Sequence, residues 1–228
     1  MTSIVVVVAA IVLLCAGVGG LALLRQPPEE VCRTVDGVGA VDVRLAAGRV
    51  EIAEADRVDA RLEMTVRRRV GRTRPVLTRS GDLLRIDGRT SEARVRLSLP
   101  RATRVRAEVR GGEVTLWGSD GDLVLVTDSG TIAGRELGGH GVTARSRAGD
   151  VVLHFSSPPE QVTALSDSGS VTVVVPGGPY AVEVESADAG AVDVTAPADP
   201  EAKRAVTARS RSGRVHVYSP APQGPLRL

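Results

Sequence analysis

A short motif built around a glycine recurs along the chain at near-constant spacing. The octets VTARSRAG at 142–149, VTALSDSG at 162–169 and VTARSRSG at 206–213 are almost identical. Weaker copies end at Gly112, Gly130 and Gly190, an earlier one at Gly48, and a blurred one near Gly81. From Gly112 to Gly213 the glycines stand 18, 19, 20, 21 and 23 residues apart. A unit of this size cannot bury an apolar face alone; stacking units side by side makes one continuous core.

The offsets around each glycine say what the unit is. Seven residues before it stand Val41, Val105, Leu123, Val142, Val162 and Val206; five before it, Val43, Ala107, Leu125, Ala144, Ala164 and Ala208. Two after it stand Val50, Val114, Ile132, Val151, Val171, Val192 and Val215. Four after it stand Ile52, Leu116, Leu153, Val173, Val194 and Val217, with Gly134 the exception. Period two on both sides marks strands with one buried face. Gly48, Gly112, Gly130, Gly149, Gly169, Gly190 and Gly213 then become corners between two short strands. The copy at Gly190 carries one extra residue, so Val182, Val184 and Ser186 align with a slip of one.

The fold this predicts is all-β: a single-stranded β-solenoid of about twenty residues per coil. About eight coils at ~4.8 Å per rung give a rod ~35–40 Å long. The rival is an antiparallel sandwich or meander, which also suits frequent short strands. Aromatic residues make up only 2% of the chain. Narrow coils filled by small branched aliphatics account for that.

Residues 4–24 carry no charge, and a helix of that length spans a hydrocarbon core. Arg25, Pro27 and Pro28 follow and end it. The expected organisation is a transmembrane anchor at 1–25, a linker at 26–36, the solenoid at 37–218 and a Pro-rich tail at 219–228. A cleaved signal remains the alternative, with Gly20-Leu21-Ala22 as the cleavage site, although Met-Thr-Ser supplies no positive n-region. Arg25 and Arg33 on the far side, taken literally, place the large domain in the cytoplasm. Between 57 and 104 the copies blur; Val58–Val66 and Ala93–Leu99 alternate as longer strands, read as wider coils or a hairpin extension.

Recurrent S-x-S-G-x-V-x-V units behind an apolar N-terminal segment resemble the bacterial β-strand-repeat family known as putative adhesins, over about 35–218. The resemblance implies a right-handed β-helix in the cell envelope, with its large domain outside the membrane. It implies no catalytic residues and no cofactor, and an envelope polymer or protein as partner besides the membrane.

Two positions before each glycine the chain reads Arg110, Asp128, Arg147, Asp167, Asp188 and Arg211, an outward charge ladder in which Asp167 and Asp188 break the alternation. A carbohydrate or calcium edge is the functional reading, but calcium needs several convergent oxygens and the arginines oppose it. Ser146, Ser166, Ser186 and Ser210, with Thr127, form an inward hydroxyl column. A nucleophile there would need a histidine within reach, and His140, His154 and His216 are scattered. Three His and two Cys show no metal spacing, and Cys15 and Cys32 make no disulfide framework. A polysaccharide-acting enzyme would need paired carboxylates, for which Asp120 and Asp122 are the nearest candidates. Arg67, Arg68, Arg69, Arg72, Arg74 and Arg79 form a basic run that either meets anionic surfaces or protects a strand edge. With 29 Lys+Arg against 27 Asp+Glu, and few stacking aromatics, nucleic acid is not an expected partner. An envelope-stress sensor that binds a lipid or membrane partner is the other non-catalytic reading.

Overall fold

The computed structural model describes residues 29–66, 74–187 and 191–219. Sixteen strands and no α-helix lie among them. In chain order they are β1 (Glu29–Asp36), β2 (Ala40–Ala55), β3 (Asp59–Val66), β4 (Val76–Ser80), β5 (Leu83–Pro100), β6 (Arg104–Trp117), β7 (Leu123–Ser129), β8 (Ile132–Leu137), β9 (Gly141–Ala148), β10 (Val151–Phe155), β11 (Gln161–Ser168), β12 (Val171–Val174), β13 (Ala181–Ser186), β14 (Val192–Val194), β15 (Ala205–Ser210) and β16 (Val215–Tyr218).

Parallel pairing builds two sheets that meet along the glycine corner. The first runs β5-β2-β6-β7-β9-β11-β15-β13, and the second runs β5-β2-β6-β8-β10-β12-β16-β14. Strands β2, β5 and β6 are long enough to bend round the corner and serve both sheets. Register follows the sequence offsets: Val162 pairs with Val142 on one side and Val206 on the other, and Ala164 with Ala144 and Ala208. In the second sheet Val151, Val171 and Val215 align. These columns are fully buried and form one aliphatic core. A third side, without regular strands, closes each coil. The two buried rings, Phe155 and Tyr180, lie beside it.

The spatial order departs from the chain order at both ends. Strand β5 lies outside β2, although the chain continues from β5 to β6 on the inner side. At the other end the last coil, β15 and β16, slots between the β11–β12 coil and the β13–β14 coil. The extra residue before Gly190 and the long connection 195–204 fit this outboard position. Val182, Val184, Val192 and Val194 are consequently only half-buried at the open end.

The blurred region is an antiparallel extension. Strand β4 forms a tight hairpin with β5 through Gly81 and Asp82, and β3 pairs antiparallel with the other half of β5. Strand β1 then pairs antiparallel with β3 along its full length. The expected linker at 26–36 is therefore corrected: residues 29–36 are an edge strand, because Val31 and Val35 find cover against the core. The expected anchor at 1–25 lies outside the described residues. Among the described residues no helix is long and apolar enough to cross a membrane.

The exception at Gly134 has a steric cause. A β-bulge between β8 and β10 puts Leu137, rather than the residue two positions on from Gly134, opposite Phe155. A side chain at Gly134 would meet Leu137 Cδ1 at 2.7 Å. Leu137 fills the inward place that Gly134 leaves empty. The outward Val126 and Leu165 are half-buried because their registered neighbours are long charged side chains: Glu108 and Arg145 flank Val126, and Arg145 and Arg209 flank Leu165.

Candidate functional site

The corner is the most regular feature of the molecule. Gly112, Gly130 and Gly149 adopt φ of +139°, +141° and +146°, which side chains rarely accept. Each also sits on the peptide of the rung below: a Cβ at Gly130 would lie 1.7 Å from the carbonyl oxygen of Gly112, and one at Gly213 would lie 2.2 Å from that of Gly169. Both conditions demand glycine. The column runs Gly48, Gly112, Gly130, Gly149, Gly169, Gly213, and it ends where Ala93 pairs with Gly48. Gly190 lies outside the described residues.

The serine column serves the same corner. Ser146 Oγ donates to the Gly130 carbonyl at 3.2 Å, Ser166 to Gly149 at 2.9 Å, Ser210 to Gly169 at 2.8 Å and Ser186 to Gly213 at 3.1 Å. Each caps the glycine of the neighbouring rung, so they are committed donors rather than nucleophiles. Thr127 begins the column with its hydroxyl buried and unpartnered; Val109 and Leu45 continue it without a hydroxyl.

Lack of side chains along the corner leaves an open groove of about 740 Å³ at the β5 end, lined by Gly48, Ala93, Gly112 and Gly130. Its charged walls are largely self-neutralised, with Arg49 2.7 Å from Glu113 and 3.8 Å from Glu51.

The charge ladder benefits from the inserted coil. In space Arg211 follows Asp167, so the described rungs read Arg110, Asp128, Arg147, Asp167, Arg211 and alternate throughout. Asp188 lies outside the described residues. Arg147 and Asp128 are 3.9 Å apart, the one ladder pair within ion-pair distance among the described residues. Exposed pairs of this kind contribute about 0.2–1 kcal/mol.

Asp120 and Asp122 are engaged separately. Asp120 is held by Arg101 at 3.2 Å, and Asp122 accepts the Gly141 N–H at 3.2 Å. The structure does not bring them together with a histidine: His140 faces Glu160 at 3.3 Å and His216 faces Asp193 at 3.7 Å. Of the basic run, Arg74 meets Glu29 at 3.0 Å and Arg79 donates to the Gly81 carbonyl; Arg67, Arg68, Arg69 and Arg72 lie outside the described residues.

Two carboxylates have structural roles that the repeat pattern does not reveal. Asp42, almost fully buried, is clamped by Arg44 and Arg85, each at 3.1 Å. Glu54 accepts from Ser119 Oγ at 2.9 Å, the Asp120 N–H at 2.9 Å and the Ala102 N–H at 3.1 Å. Burial raises its pKa above the ordinary value despite those donors. Sequence reading also assigns nothing to the positions five residues after each glycine. There the structure exposes Trp117, Arg135 and Tyr218. The shared offset is the signal that finds them.

Fold and site together define an all-β, β-helix-like repeat protein. No family model and no curated protein matches the sequence. Among solved structures it is similar to a "putative cell adhesion protein" from Clostridium sporogenes (11% identity, 85% of this chain and 99% of that one, TM-score 0.48). It is also similar to a "putative adhesin" from Bacteroides fragilis (12% identity, 84% and 97%, TM-score 0.44) and to one from Parabacteroides merdae (11% identity, 86% and 97%, TM-score 0.29).

Proposed function

We propose that the chain is a non-catalytic module of the cell envelope: a right-handed β-solenoid, tethered by residues 4–24, that lies outside the membrane and serves adhesin-like interaction or structure. The observation that carries this reading is the destination of the repeat's polar groups. The serines cap glycine carbonyls, Asp122 and Asp150 accept backbone N–H groups of the next rung, and Asp120 is tied to Arg101. Groups that could do chemistry are used to hold register, and what remains is two long, regular outer faces.

The test has two arms. Protease added to intact cells should degrade the solenoid domain, and protection from it would overturn the external placement. A polysaccharide panel incubated with the full chain should show binding without turnover. Release of shortened products would instead establish the enzyme reading. Recovery of a single membrane protein or lipid, with no polymer bound, would favour the sensor reading.

A further inference from the structure

The positions five residues after each corner glycine fall in one row along the second sheet, open to solvent except at the buried Val174. Register sets Ala53 beside Trp117, Trp117 beside Arg135, His154 beside Val174, and Val174 beside Tyr218. The β8–β10 bulge lies where Arg135 and Glu136 face His154. Of the chain's four aromatic side chains, Phe155 and Tyr180 are buried and the other two, Trp117 and Tyr218, are 47% and 37% exposed. Both exposed rings belong to this one row. Four rungs separate them, or ~19 Å at the usual strand spacing.

The middle of the row is locally shaped. Glu136 holds φ of +54°, which a non-glycine residue rarely adopts. Bulges re-aim side chains, and here Arg135 stands with its guanidinium 6.0 Å from the centroid of the Trp117 ring. Among the described residues Arg135 has no carboxylate within ion-pair distance, and it is exposed.

We propose that this row binds an extended, uncharged polysaccharide of pyranose units lying along the solenoid axis. Trp117 and Tyr218 would stack on sugar faces at either end, and Arg135, Glu136 and His154 would hydrogen-bond hydroxyls between them. The pattern of the row selects this occupant. A protein or a lipid surface wants a contiguous apolar patch, but Arg135, Glu136 and His154 stand between the two rings, and the one apolar side chain there, Val174, is buried. A nucleic acid wants a cationic track, but Glu136 offsets Arg135. A sugar polymer presents an apolar C–H face and a hydroxyl edge together, which matches rings interspersed with planar polar groups. The inference rests on the envelope reading only for where such a polymer would be met.

Trp117 is the only tryptophan, so the protein carries its own reporter. The full chain in detergent is titrated with cellohexaose, chitohexaose, polygalacturonate, a single-stranded oligonucleotide and anionic vesicles, following indole emission. A saturable blue shift with a neutral hexasaccharide is expected. By calorimetry, Trp117→Ala, Tyr218→Ala and Arg135→Gln should each weaken binding about tenfold, the loss typical of one stacked ring or one good donor pair. Arg145→Ala, on the other sheet, should leave it unchanged. An emission change with only the charged probes, or binding indifferent to both Tyr218→Ala and Arg135→Gln, overturns the proposal. Sugar turnover would sink the non-catalytic reading and leave the binding row standing; binding by a domain protected from protease would sink the external placement alone.

Discussion

Ser210 donates its hydroxyl to the carbonyl of Gly169 at 2.8 Å, across forty-one residues of sequence. The bond joins the last coil to a neighbour from well before it in the chain. Ser210→Ala removes the donor and leaves a corner carbonyl short of a partner, at a cost of about 1 kcal/mol. A urea titration should show the midpoint lowered with an unchanged slope. An unaltered midpoint would mean that the serine column is incidental.

The glycine column should be far less tolerant. Gly130→Ala places a Cβ 1.7 Å from a backbone oxygen that cannot move without breaking the neighbouring rung. A loss of about 3 kcal/mol or more is expected. Gly81→Ala is the control: φ is +61° but nothing lies within 4 Å of the added carbon, so only the ~1–2 kcal/mol of left-handed backbone strain applies. Thermal melts of the two variants should differ widely; similar losses would argue against close stacking at the corner.

Removing residues 205–228 should do more than shorten the rod. Strands β13 and β14 pair only with β15 and β16 on their inner side. Their amides should lose hydrogen-exchange protection in the truncated chain, whereas those of β7 and β9 should keep it. Retained protection in β13 would mean that it re-pairs with β11.

His154 gives a pH dependence with a definite sign. Burial, and secondarily the charge of Arg135, lower its pKa from 6.5 in the folded protein. Folding therefore disfavours the protonated ring. Its contribution is complete above about pH 6.5 and declines as pH falls from there toward the depressed folded value. The difference in stability between wild type and His154→Gln should shift against the wild type as pH drops from 7 to 5. A pH-independent difference would refute the assignment.

Glu54 anchors two loops on the third side through three donors. Glu54→Ala strands the Ala102 and Asp120 N–H groups and should cost about 2 kcal/mol. A lowered Tm checks this; so does new protease sensitivity near 101–120.

The repeat columns were legible in the sequence because each lies at a constant offset from a glycine, and stacking converts offset directly into contact. Val142, Val162 and Val206 line up for that reason. Coil order was not legible. Offsets say that Ser210 belongs in the serine column but not that its neighbours are Ser166 and Ser186, since every rung offers the same register. The strand at 29–36 was hidden because alternation is weak there: Val31 and Val35 are the only core-facing apolar residues among eight. Trp117, Arg135 and Tyr218 share an offset as regular as the valines'. Their chemistry varies from rung to rung, so a search for like residues passes over them.

The interleaved final coil has a consequence for biosynthesis. A ribosome delivers β13 and β14 before the strands that hold them, so the growing chain has a gap in its stack until 205–218 emerge. The rod cannot be completed in the order of translation. Closure falls after synthesis of the last coil, and until then that end of the polypeptide stays open and unlocked.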